Sequence, residues 1–121
     1  MKSSHFYFIL ILFSFTTIIA QRGIDPKEQL KELNDKLSLT EEQSIKIELI
    51  INESVSQISD MRTAANGDRK MMMIKLRILR DETNKKIEVV LTDDQKIKFK
   101  ELLKERAERR QNNMGQRRNN F

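Results

Sequence analysis

Two short stretches, Leu39-Thr40-Glu41-Glu42-Gln43 and Leu91-Thr92-Asp93-Asp94-Gln95, lie 52 residues apart and repeat one pattern of helix initiation. Each places a Thr at the N-cap, two acids in the first turn and a Gln at the third helical position. The Thr hydroxyl can accept the backbone N–H of the Gln while the Gln side chain reaches back to the Thr N–H, so two orphan donors are satisfied together. The acids face the positive end of the helix dipole. A chain with two such starts must accommodate two long helices in matched surroundings.

The match outlasts the caps. A shift of 52 pairs Ile45 with Ile97, Lys46 with Lys98, Ile47 with Phe99, Ile50 with Leu102, Ile51 with Leu103, Glu53 with Glu105 and Val55 with Ala107. Between and before the copies, two further helices are predicted. Asp25-Pro26-Lys27-Glu28 opens a short one with Leu30, Leu33 and Leu37 on one face, stopping at Ser38. The helix from Glu41 is expected to reach Ala65, about 37 Å at 1.5 Å per residue, and to close on Asn66-Gly67. Its stripe is Ile47, Ile50, Ile51, Val55, Ile58, Met61 and Ala65, with Ile45 and Leu49 on the opposite side. Asp68 caps a third helix to Val90 with the stripe Met72, Leu76, Leu79, Thr83, Ile87 and Val90. The fourth runs from the second copy to about Arg110, with Phe99, Leu102, Leu103 and Ala107 inward. The fold class is therefore all-α, in one helical domain over residues 25–110. From Gln111 to Phe121 the Gln, Asn, Arg and Gly content reads as a disordered basic tail.

The beginning of the chain has another character. Lys2 precedes an uncharged run from Phe6 to Ala20, which reads as a secretory signal peptide over residues 1–20, cut before Gln21, with 21–24 as a lead-in. An uncleaved membrane anchor is the competing reading, though the run is shorter than the roughly 18 apolar residues a span requires. A cleaved product is expected in the periplasm without stable membrane insertion. Losing Lys2 leaves 22 basic and 18 acidic side chains, a charge of +4, and no Cys to form a disulfide. Such a protein is expected to meet acidic proteins or envelope surfaces and not nucleic acid.

Catalysis is poorly supplied. His5 and Tyr7 are the sole His and Tyr and fall within the leader, and the chain has no Cys or Trp. The usual general acid–base and nucleophilic groups are then missing from the mature chain, and no motif joins its Ser, Thr, Lys and carboxylates, so an enzyme is not expected. No phosphate-binding loop motif stands in the sequence, and no cofactor is expected. A metal site is not expected either. Met71, Met72 and Met73 diverge by about 100° each and cannot converge on one ion, and the commonest zinc and copper ligands are lacking.

The paired Leu-Thr-x-x-Gln motifs, in a basic all-helical chain behind an export signal, resemble the Spy/CpxP family of periplasmic envelope proteins over residues 25–110. The resemblance implies an elongated four-helix hairpin that dimerises into a cradle. It also implies an ATP-independent chaperone that binds unfolded or partly folded envelope proteins. The alternative within the same family is a regulatory protein docking on the sensor domain of an envelope-stress histidine kinase. Leu39, Thr40, Gln43, Leu91, Thr92 and Gln95 carry the motif, with a structural role as helix caps.

Client-binding residues are inferred from pattern. Met71, Ile74 and Ile78 form a second apolar face on the third helix, which one core does not need, so the surplus serves a subunit contact or an apolar partner. Packing filler is the ordinary role of such Met residues. The candidate surface joins off-stripe apolar residues to nearby cations: Ile45, Leu49, Arg62, Lys70, Met71, Ile74, Lys75 and Ile78. Flexible Met side chains adapt to varied apolar shapes, and Lys or Arg stems cover apolar surface while their charges stay wet.

Overall fold

A computed structural model describes residues 25–119 and is all-helical: α1 Pro26–Leu37, α2 Glu41–Ala65, α3 Arg69–Val90 and α4 Asp93–Asn119. Residues 1–24, on which the expected signal peptide and lead-in fall, and residues 120–121 lie outside the described residues. Among the described residues, no helix is long and apolar enough to cross a membrane.

Each boundary has a local cause. Asp25 Oδ1 accepts the Lys27 N–H at 2.9 Å and Pro26 takes the first helical position, where its missing N–H costs nothing. Ser38 ends α1 in the left-handed region (φ 50°), donating its N–H to the Asn34 carbonyl at 3.0 Å. Asn66 (φ 49°) and Gly67 (φ 88°) reverse the chain between α2 and α3. Asp68 then caps α3 through the Met71 N–H at 3.0 Å.

Because that turn is short, α2 and α3 form an antiparallel hairpin; α1 packs against α2 and α4. The core comprises Leu33, Leu37, Ile47, Ile51, Ile87, Leu91, Phe99 and Leu102, with Leu30, Leu39, Ile50, Val90 and Leu103 around it. All of it gathers at the end of the molecule where the two motifs sit. Farther along the hairpin, Leu79 and Thr83 are buried on α3, and the Thr83 hydroxyl is satisfied by donating to the Leu79 carbonyl at 2.7 Å. Toward the tip, Ile58, Met61, Ala65, Met72 and Leu76 are half-buried, since only two helices meet there.

Two expectations are corrected. Val55 does not join the core but is 38% exposed, because the twelve residues of α1 are too few to cover that turn of α2. The segment 111–119, expected to be disordered, continues α4 as helix. Gln, Met and Arg each extend a helix by one hydrogen bond, and Gly115 opposes it by only about 1 kcal/mol. The side chains of 111–119 are exposed, as expected of a stretch that lacks core residues.

A glutamine clasp and an exposed amphipathic band

The two motifs meet. Thr40 Oγ1 accepts the Gln43 N–H at 3.2 Å and Gln43 Oε1 accepts the Thr40 N–H at 3.0 Å. The second copy repeats the pair at 3.3 and 3.0 Å through Thr92 and Gln95. Each carboxamide then uses its other capacity on the opposite copy. Gln43 Nε2 donates to Gln95 Oε1 at 2.8 Å, and Gln95 Nε2 donates to Gln43 Oε1 at 3.0 Å. The remaining amide hydrogens reach the last carbonyls of the helices preceding the opposite motif: Gln43 to Val90 at 3.1 Å and Gln95 to Leu37 at 3.2 Å. The result is a clasp with approximate two-fold symmetry, joining the starts of α2 and α4 to the ends of α3 and α1. Sequence reasoning treated the copies as separate caps and missed this contact. The signal was present in the matched apolar positions, which required matched surroundings. Leu39 and Leu91 pack beside the clasp, half-buried and buried respectively.

Symmetry extends to the surface. Ile45 and Ile97, equivalent under the shift of 52, are 55% and 61% exposed, while Ile47 and Phe99 are both buried. Leu49 is exposed beside Ile45 on the outer side of α2. On α3, taking about 100° per residue, Lys70, Met71, Ile74, Lys75 and Ile78 span a band of about 140°, separate from the buried stripe. Met71, Ile74 and Ile78 are about half exposed along it. Val89, 84% exposed, extends this band toward the clasp and was missed because the apolar spacing breaks between Ile78 and Val89.

The eight candidate residues therefore do not form one patch. Ile45 and Leu49 lie on the side of α2 turned away from α3, whereas the α3 band lies outside the stripe that packs on α2. Arg62 stands apart at the hairpin tip, lining an open hollow of about 380 Å³ with Ala65, Gly67, Asp68, Arg69, Met72 and Met73. The five residues on α3 are the set that shares a face.

A polar cluster binds α1 to α4. Arg106 Nη2 lies 2.6 Å from Glu32 Oε2, and Arg109 Nη2 lies 3.2 Å from Glu32 Oε1. Partial burial pushes the Glu32 carboxyl up, but hydrogen bonds and charge from Arg106 and then Arg109 outweigh it, so its pKa falls below the ordinary value. Lys86 pairs with Glu53 across the hairpin at 3.3 Å in an exposed setting. Among the described residues, no buried side-chain N or O atom lacks a hydrogen-bond partner, and no group of three or more His, Cys, Asp or Glu is placed to hold a metal.

The chemistry available at these surfaces is reversible apolar contact flanked by positive charge. Compared with protein-family models, with curated proteins and with solved structures, the chain gives no match.

Proposed function

We propose that the protein is an ATP-independent periplasmic chaperone that binds unfolded or partly folded envelope proteins and suppresses their aggregation. The observation that carries this reading is the outer band of α3. There Met71, Ile74 and Ile78 stay exposed with Lys70 and Lys75 among them, on a helix whose opposite stripe already supplies the hairpin packing. Apolar side chains of an unfolded client gain by leaving water against this band, while the cations attract acidic segments at long range. Neither interaction consumes a nucleotide. The paired Leu-Thr-x-x-Gln motifs support the reading through the family they resemble, and the uncharged leader supports export.

A homodimer is part of the proposal. Its support is the set of apolar side chains left exposed at the clasp end, Ile45, Leu49, Ile97 and Val89, which are available to a second copy. A strictly monomeric mass at micromolar concentration contradicts that part.

The functional test is light scattering from an aggregating client mixed with the purified protein without ATP. Suppression at several-fold molar excess is expected; unaltered scattering defeats the proposal. Capture of one dominant partner, the external domain of a sensor kinase, without suppression assigns the protein to regulation instead.

A further inference from the structure

We propose that Asn66 is a site of spontaneous deamidation, gated by opening of the hairpin tip. The reaction needs a nucleophile, an electrophile and room to close a small ring. The nucleophile is the backbone nitrogen of the next residue, Gly67, and the electrophile is the side-chain carbonyl carbon of Asn66. Both residues are exposed, and even a Cβ built on Gly67 would meet nothing within 4 Å, so the nitrogen is unshielded. Among the described residues, the Gly67 N–H finds no backbone acceptor; the reversal is closed by the Asp68 N–H, which donates to the Ala65 carbonyl at 2.9 Å. Asn34, Asn52, Asn84, Asn112 and Asn113 lie inside helices, where the following N–H is committed to the helical ladder. Asn66 is therefore set apart by its surroundings as well as by its neighbour.

The chemistry closes without an oxidant or a cofactor. Attack joins the Gly67 nitrogen to Cγ of Asn66, the amide proton passes to hydroxide in the solvent, and the Cγ–Nδ2 bond breaks with release of ammonia. Water then opens the cyclic imide at either carbonyl. One opening gives aspartate; the other gives isoaspartate, which routes the backbone through the former side chain. Arg62 and Arg69 line the open hollow beside Gly67, and their charge favours both the deprotonated nitrogen and the oxyanion of the addition step. The Asp68 carboxylate is turned onto the Met71 N–H at 3.0 Å.

The gate is conformational. Asn66 is held at φ 49° and ψ 36°, with Gly67 at φ 88°. At that ψ the Gly67 nitrogen lies nearly opposite Cβ about the Cα–C bond, away from Cγ. Ring closure requires rotation about this bond, which undoes the reversal between α2 and α3. Met61, Ala65 and Met72 are only half-buried at the tip, so this end opens locally at lower free energy than the clasp end. Either product adds a negative charge at the tip, and isoaspartate lengthens a reversal of two residues by one backbone carbon.

The inference stands apart from client binding and is tested without a client. The purified protein is incubated at mildly alkaline pH, in buffer and in urea, then digested with trypsin, which releases Asn66 in the peptide Thr63–Arg69. Mass spectrometry should show Asn66 converting in buffer at least tenfold faster than Asn34, Asn52 or Asn84, with isoaspartate among the products. Conversion should be severalfold faster in urea, where the left-handed hold is gone. Gly67→Ala, compared in urea so that its strain in the fold plays no part, should slow conversion at least tenfold. Conversion of Asn66 no faster than that of the helical Asn residues overturns the proposal. Equal rates in buffer and urea overturn the gate, and an undiminished rate in Gly67→Ala overturns the assignment of the nucleophile.

Discussion

Replacing Gln43 by Ala removes four side-chain hydrogen bonds: one to the Thr40 N–H, one to the Val90 carbonyl and the reciprocal pair with Gln95. At a net value of about 1 kcal/mol for each part-buried bond and less for the exposed cap, the cost is about 3 kcal/mol. For a domain of this size that lowers Tm by ~10–20 °C. Gln95→Ala removes the equivalent four bonds and should cost about the same, by the same bond values. The diagnostic quantity is the double variant. Two of the bonds are shared, so the singles count them twice, and each single also strands the partner amide in a part-buried site. Urea unfolding of the four proteins should therefore give a coupling energy of about 1–2 kcal/mol, the double being less damaged than the summed singles. Additivity within about 0.5 kcal/mol refutes the clasp.

Thr40→Ala and Thr92→Ala each remove only a cap and should cost about 1 kcal/mol, measured by urea unfolding. Gly67→Ala meets no steric obstacle but must hold φ at 88°, so it should destabilise by about 1–2 kcal/mol in the same assay. Glu32→Gln should cost about 1 kcal/mol at neutral pH by weakening the tie between α1 and α4. Because the folded pKa of Glu32 lies below its unfolded value, its contribution is present above the ordinary carboxylate range and is lost as pH falls through the folded pKa. Parallel pH–stability curves for wild type and Glu32→Gln down through that range contradict this. If cations steer clients, raising ionic strength from 0.01 to 0.15 M shortens the screening length from about 30 to 8 Å and should slow capture of acidic clients more than neutral ones in stopped-flow mixing.

Local chemistry made much of the fold legible. The caps at Asp25, Thr40, Asp68 and Thr92, and the reversal at Asn66-Gly67, each depend on residues within one turn, and all of them occur in the structure. The buried faces of α2 and α3 were legible because their spacing repeats for many turns. What escaped depends on how far one helix covers another. Val55 follows the core spacing but lies past the reach of α1. Meetings between residues distant in sequence escaped as well: Gln43 with Gln95, and Glu32 with Arg106. Periodicity assigns a face to each residue but does not say which distant residue opposes it. Ile45 and Leu49 illustrate the limit for the candidate surface, since their exposure follows from the pattern while their separation from the α3 band depends on how α2 and α3 pack.

The most direct measurement compares client aggregation in the presence of wild-type protein, of Met71→Ser/Ile74→Ser/Ile78→Ser and of Ile45→Ser/Leu49→Ser, all without nucleotide. These side chains are exposed, so the variants should keep the wild-type fold by circular dichroism. Wild type should suppress scattering, the α3 triple variant should lose most of that suppression, and the α2 double variant should retain more of it. Scattering unaffected by wild type, or suppression undiminished in the α3 variant, contradicts the assignment of client binding to this band.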